Sequence, residues 1–129
     1  MILLKSFYES GGGDVVARWY SEMEDQPKVR AKLDMRMTYL RQQPREKWVR
    51  EPYDTLRDGI GEVRFKAGAI WYRPLGFFGP GRNEFTFLLF ATKTDEFNPS
   101  NAIDIAVARR AVIMKSPQRA IVVNRWGQK

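Results

Sequence analysis

At Gly59 the apolar residues stop recurring at helical intervals and begin to alternate, which limits the chain to a mixed α+β fold. Before that point, Val15, Val16, Trp19 and Met23 fall on one helical face. They predict a helix over 14–24, capped by Asp14 after the breaker Gly11-Gly12-Gly13. Pro27 suits the first turn of a second helix, with Val29, Leu33, Met37 and Leu40 as its buried stripe, ending before Pro44. Lys28, Arg30, Lys32, Arg36 and Arg41 lie off that stripe and read as a solvated face. Ile2 to Tyr8 reads as a leading strand, and 45–58 as a polar connection from which Trp48 and Tyr53 dock on the core.

After Gly59 the pattern is that of strands. Over Ile60 to Lys66, Val63 and Phe65 point one way, and Glu62, Arg64 and Lys66 the other. Ala67-Gly68 supplies a turn, Ala69 to Phe78 a second strand, and Gly79-Pro80-Gly81 a second turn. Asn83 to Lys93 carries apolar residues on both faces, which predicts a central strand. Asn98 and Pro99 open a last helix through Met114, with Ile103, Ala106, Val107, Ala111 and Met114 inward, and Ser116-Pro117 ends it. Ala120 to Val123 is strand-like but has no assigned partner, and 118–129 could be an irregular tail. The expected fold is one α+β domain over 1–129: a strand, two helices, a three-stranded antiparallel meander and a helix. The helices are expected on one face, with the other partly open.

Composition narrows the chemistry. The 129 residues are 43% hydrophobic, enough for one core. No apolar run nears the roughly 20 residues of a membrane span. Met1-Ile2-Leu3-Leu4-Lys5 lacks the basic-then-apolar order of a signal peptide, so the expected compartment is the cytoplasm. The chain has no cysteine and no histidine. Disulfides, thiolate–metal sites, zinc hydrolases and His-dependent triads are therefore excluded, and neither metal nor cofactor is expected. Any catalysis must use carboxylates, tyrosines, lysines and arginines. Of the net charge of +7, residues 1–58 carry +1 and residues 59–129 carry +6. The second half either faces a polyanion or is simply a basic solvated surface.

One charged constellation lies in that half. Glu62, Arg64 and Lys66 share a strand face, Arg73 sits on the hairpin partner beside Tyr72, and Lys93 ends the third strand. Leu56-Arg57-Asp58-Gly59-Ile60-Gly61-Glu62-Val63-Arg64 resembles the Leu, Gly-Ile, Glu-x-Arg motif of the HigB-like, phage-derived branch of the RelE/ParE superfamily of type II toxins. Tyr72-Arg73 is similar to the family's Tyr-Arg pair. Phe87 to Thr94 resembles its apolar strand with a basic end, and Pro99, Ile103, Ala106 and Arg109 match the following helix.

The resemblance implies a RelE-like fold and a toxin held inactive by an antitoxin, usually a helix-turn-helix protein. Once free, such a toxin enters the ribosomal A site and cuts mRNA by attack of a ribose 2′-hydroxyl on the neighbouring phosphate. By the same resemblance, Arg64, Arg73 and Lys93 stabilise the developing charge. Glu62 is either the base or a partner that orients the two arginines. Lys66, Tyr72, Arg57 and Arg109 are the implied RNA contacts. The same fold also admits a ParE-like poison of DNA gyrase, or an RNA-binding or phage accessory module without cleavage.

Three features depart from the family pattern. Ser100-Asn101-Ala102 lacks the Tyr or His that relatives carry near the last helix. Lys93 stands alone before Thr94-Asp95-Glu96 where relatives double the lysine. Pro74 follows Tyr-Arg and cannot donate to a ladder, so the hairpin is expected to bulge there or to lie at an edge.

Overall fold

The computed structural model describes residues 1–50 and 52–128. It begins with β1 (Leu3–Glu9), which turns back through Gly11 to Gly13 into the short β2 (Gly13–Asp14). Gly11 and Gly13 have φ of 81° and 73°, a left-handed backbone that this reversal needs and a side chain resists. Asp14 accepts the Ala17 amide at 2.9 Å and starts α1 (Val15–Glu22), which buries Val15, Val16, Trp19 and Tyr20. Pro27 opens α2 (Pro27–Leu40), whose buried residues are the expected Val29, Leu33, Met37 and Leu40. Trp48 docks as expected, its indole N–H donating to Leu40 O at 2.9 Å, and stacks edge-on against Tyr53 at the start of β3 (Tyr53–Thr55).

The single strand expected over 60–66 is two strands, β4 (Gly61–Val63) and β5 (Phe65–Ala67), both paired with β6 (Ile70–Phe78). The register does not slip between them: Glu62 faces Leu75 and Phe65 faces Tyr72. Pairing lapses around Arg64, opposite the stretch of β6 where Pro74 has no N–H to give. β6 is not an edge, because its other side pairs along its length with β7 (Glu84–Lys93). The bulge falls one step past Pro74, where Leu75 faces Leu89 and Gly76 faces Phe87, leaving Leu88 as the extra residue. A Cβ at Gly76 would stand 2.5 Å from Thr86 O, so only glycine lets the two backbones meet there.

The expected antiparallel meander forms, from β4 and β5 through β6 to β7, but the sheet as a whole is mixed. β1 pairs parallel to β7, from Leu3 against Glu84 to Ser6 against Phe87, and this makes β7 the central strand its two-faced apolar pattern predicts. The parallel pairing is possible because two helices and the meander intervene between the strands, and no local pattern announces it. Beyond β7, the short β8 (Phe97–Asn98) pairs with its end. The last helix, α3 (Ala102–Lys115), starts later than Asn98, since that residue is still paired.

The later start fixes a different inner face for α3. Ala102, Ala106 and Ile113 are buried and Ile103 and Val107 pack beside them, while Ala111 is exposed and Met114 is 59% exposed. The tail is not irregular throughout: β9 (Ala120–Val122) pairs antiparallel with the free edge of β1.

Nor do all the helices share one face. Ser6 accepts the Val16 amide of α1 at 3.0 Å, so α1 covers the Ser6 side of β1, with α2 held to it by the Tyr20 hydroxyl donating to Asp34. Phe7 points the opposite way, and Arg109 of α3 lies over its ring at 5.4 Å. α3 therefore covers part of the second face. Among the described residues no helix is long and apolar enough to cross a membrane.

Candidate functional site

Alternation along β4 to β7 sorts their side chains into rows across the second face. Lys66, Trp71 and Lys93 form the outermost row, each opposite the next. One row inward the continuous register sets Arg64 opposite Arg73, with Ala91 beyond it. The third row is Glu62, Leu75 and Leu89. Glu62, Arg64, Lys66, Arg73 and Lys93 are thus brought onto one face, as the alternation predicts.

The local sequence shows how Glu62 comes to lie there. A Cβ at Gly61 would fall 1.7 Å from the Tyr53 hydroxyl, so β4 can close over Tyr53 only with glycine at that place. Glu62 follows, 2% exposed and turned to the second face. Its Oε2 accepts from Arg73 Nη1 at 2.7 Å and stands 3.5 Å from Arg64 Nε. Two guanidinium groups directly opposite one another would repel, and a carboxylate one row inward draws both toward itself. Arg64 also lies 4.0 Å from Asp54 of β3.

The pairing leaves the arginine side chains only 13% (Arg64) and 12% (Arg73) exposed. Glu62 Oε1, Arg64 Nε and Arg73 Nε make no hydrogen bond within the described residues. The lysines differ. Lys66 is exposed and Lys93 half-buried, and among the described residues neither ammonium meets a carboxylate. Lys93 Nζ instead lies 4.7 Å from the Phe97 ring. The site is two guanidiniums drawn to one buried carboxylate, with two ammonium groups in the outermost row that meet no carboxylate among the described residues.

Three of the residues expected to touch RNA are elsewhere. Tyr72 is 4% exposed and on the first face, stacked on Phe65 at 5.2 Å beneath Trp19. Standing next to Arg73 in a strand puts its side chain on the opposite side. Arg57 is exposed and bonded at 2.6 Å to both Asp58 and Asp104, bonds that raise its pKa further, Asp104 foremost. Arg109 donates to Leu88 O, the carbonyl of the bulge, at 2.8 Å and lies 3.5 Å from Glu9; burial lowers its pKa. No contact joins either of these arginines to the Glu62 group among the described residues.

Two members of the site carried a weaker signal. Trp71 stands two residues before Arg73, so alternation alone puts it on the same face. Asp54 lies in a three-residue strand too short to show a period. Among the described residues no three His, Cys, Asp or Glu side chains gather to hold a metal.

Three helices on a large open mixed sheet, with a cationic patch at one end of a strand face, describe a small basic α+β protein. The family described as Phage derived protein Gp49-like (DUF891) matches residues 21–111, a span that includes the whole of β4 to β8. No curated protein and no solved structure is significantly similar to the chain. The chain belongs to the phage-derived Gp49-like family, a family of RelE-like toxins.

Proposed function

We propose that the chain is the toxin of a toxin–antitoxin pair and that it cleaves mRNA on the ribosome. The observation that carries this reading is the Arg64–Glu62–Arg73 group flanked by the ammonium groups of Lys66 and Lys93, which meet no carboxylate among the described residues. In the reaction, the ribose 2′-oxygen bonds to phosphorus, the bond to the 5′-oxygen breaks, and a cyclic phosphate and a 5′-hydroxyl are left. The phosphorane on the way gathers negative charge, which guanidinium and ammonium groups held in place beforehand stabilise best.

Arg73, Arg64 and Lys93 take that role, and Lys66 holds the backbone. Glu62, shut away between two guanidiniums, serves as a positioning residue that aims them; its burial speaks against its acting as the base. Proton transfer then falls to solvent and ribosomal groups, and the ribosome's grip on the mRNA supplies the alignment. An antitoxin, most simply a helix-turn-helix protein with an acidic segment, would silence the toxin by covering the basic half.

The shortage of free acid–base groups favours one second reading, an RNA-binding protein of the same fold without cleavage. Induction in cells followed by mapping of mRNA ends separates the two. The expected result is arrest of protein synthesis with new codon-spaced ends, absent for a folded Arg73→Ala variant, while the purified chain leaves free RNA intact. Growth arrest without new ends overturns the nuclease. A DNA-damage response in its place would indicate a gyrase poison, and rapid cutting of naked RNA would remove the ribosome from the scheme.

A further inference from the structure

Trp71 is one of four tryptophans in the chain and differs from the other three. Trp19, Trp48 and Trp126 are 5%, 5% and 7% exposed, and each packs against other aromatic rings. Trp71 is half-buried, and among the described residues no aromatic ring packs on it. Its neighbours are cations. Arg73 Cζ lies 5.4 Å from the ring centroid, and Arg64 Cζ and Lys66 Nζ each lie 5.9 Å from it. Lys93 stands opposite it on β7.

A partly open indole ringed by guanidinium and ammonium groups suits one class of ligand. A single-stranded nucleic acid presents a flat base to the ring while its phosphates lie over the cations alongside. A buried hydrophobic contact would call for no cations, and a plain phosphate site would call for no indole.

We infer that Trp71 is the stacking platform for a nucleobase next to the scissile phosphate, and that it sets the base preference of the cut. This rests on the nuclease reading above. The geometry supports it in two ways. Trp71 shares its face with Arg73, whose Cζ lies 5.4 Å from the ring centroid, so a base on the ring brings a phosphate of the same strand beside the guanidinium. Gly68, at φ 63°, turns the hairpin immediately before Ile70 and Trp71 and leaves the ring at the open end of the face, away from the cover of α3.

The test compares Trp71→Phe, which keeps an aromatic face, with Trp71→Leu, which keeps apolar bulk without one. Both are induced in cells beside wild type and Arg73→Ala, with mRNA ends mapped and folding checked by thermal melting. The expected result is that Trp71→Phe retains the cleavage pattern. Trp71→Leu, equally folded, should cut about tenfold less, the order of a single lost base stack, with its base preference beside the cut flattened. A merely structural tryptophan would leave that preference unchanged, so Trp71→Leu cutting with the wild-type preference overturns the platform while the nuclease stands. If wild type makes no new ends, the nuclease reading falls and the platform with it.

Discussion

Gln128 and Glu62 are both buried polar side chains, 8% and 2% exposed, yet their hydrogen-bonding needs are met to opposite degrees. Gln128 Oε1 accepts from Leu4 N at 2.7 Å, and its Nε2 donates to Leu4 O and Val123 O, both at 2.9 Å. Its amide acts as one more peptide unit on β1 just past the end of β9, and it leaves no donor unused. Among the described residues Glu62 has one oxygen without a hydrogen bond, and each of its two arginines has an Nε without one. A neutral amide filled by backbone closes a fold. A charged group left partly unfilled at the open end of a sheet keeps bonding capacity for something from outside.

The most severe way to break that contrast is to remove the carboxylate. Glu62→Ala leaves two largely buried guanidiniums facing one another with no counter-charge between them. It should cost roughly 3–5 kcal/mol of stability, as loss of one partner of a buried ion pair does. Urea unfolding measures this. A cost below about 1 kcal/mol would mean that both arginines are as well solvated as surface groups, and the contrast would disappear. Next in size, Gln128→Ala strands the Leu4 N–H and takes the side-chain donor from Val123 O, while Leu4 O keeps the Val123 N–H at 3.1 Å; it should cost about 1–3 kcal/mol, with cleavage by the remaining folded molecules unchanged.

How much of this is legible in the sequence follows from how local each feature is. Helical spacing alone marks Val29, Leu33, Met37 and Leu40, because a helix carries its own period. Strand alternation alone puts Glu62, Arg64 and Lys66 on one side of their run, and the hairpin registers then bring Arg73 and Lys93 to the same face. Tyr72 shows the same rule misapplied, since a motif that reads Tyr-Arg as a pair must put its two side chains on opposite faces. The parallel pairing of β1 with β7 and the docking of Trp126 and Gln128 join residues from opposite ends of the chain, and no local pattern encodes them. The pairing of Glu62 with both arginines lies between these cases. Composition permits it, but only the register across Pro74 fixes it.

The first face offers a milder test through its own buried hydroxyls. Burial, and for Tyr20 also the bond to Asp34, raises the pKa of Tyr20 and Tyr53 well above the ordinary value of 10.0. The unfolded chain therefore gives up these protons first. Their contribution is full below about pH 10 and is lost as the pH climbs beyond it toward the folded values. Urea midpoints measured between about pH 9 and pH 11 should fall for the wild type and fall less steeply for a Tyr20→Phe/Tyr53→Phe double variant. Equal slopes would show that the alkaline loss comes from lysines elsewhere.

The smallest expected effect comes from Arg57, whose surroundings invert those of Glu62. It is one guanidinium between two carboxylates, Asp58 and Asp104, and both partners are exposed. Solvent and salt screen such a pair, so holding it should add nothing measurable to the fold. Arg57→Ala should leave the melting temperature unchanged and, being joined by no contact to the Glu62 group, should leave the pattern of mRNA ends unchanged too. The second half of that expectation carries more weight. The resemblance counts Arg57 among the RNA contacts, whereas its engagement with the first turn of α3 makes it a tether between the loop before β4 and that helix. Loss of cleavage by an Arg57→Ala variant that melts like wild type would extend the site from the strand rows to the start of α3.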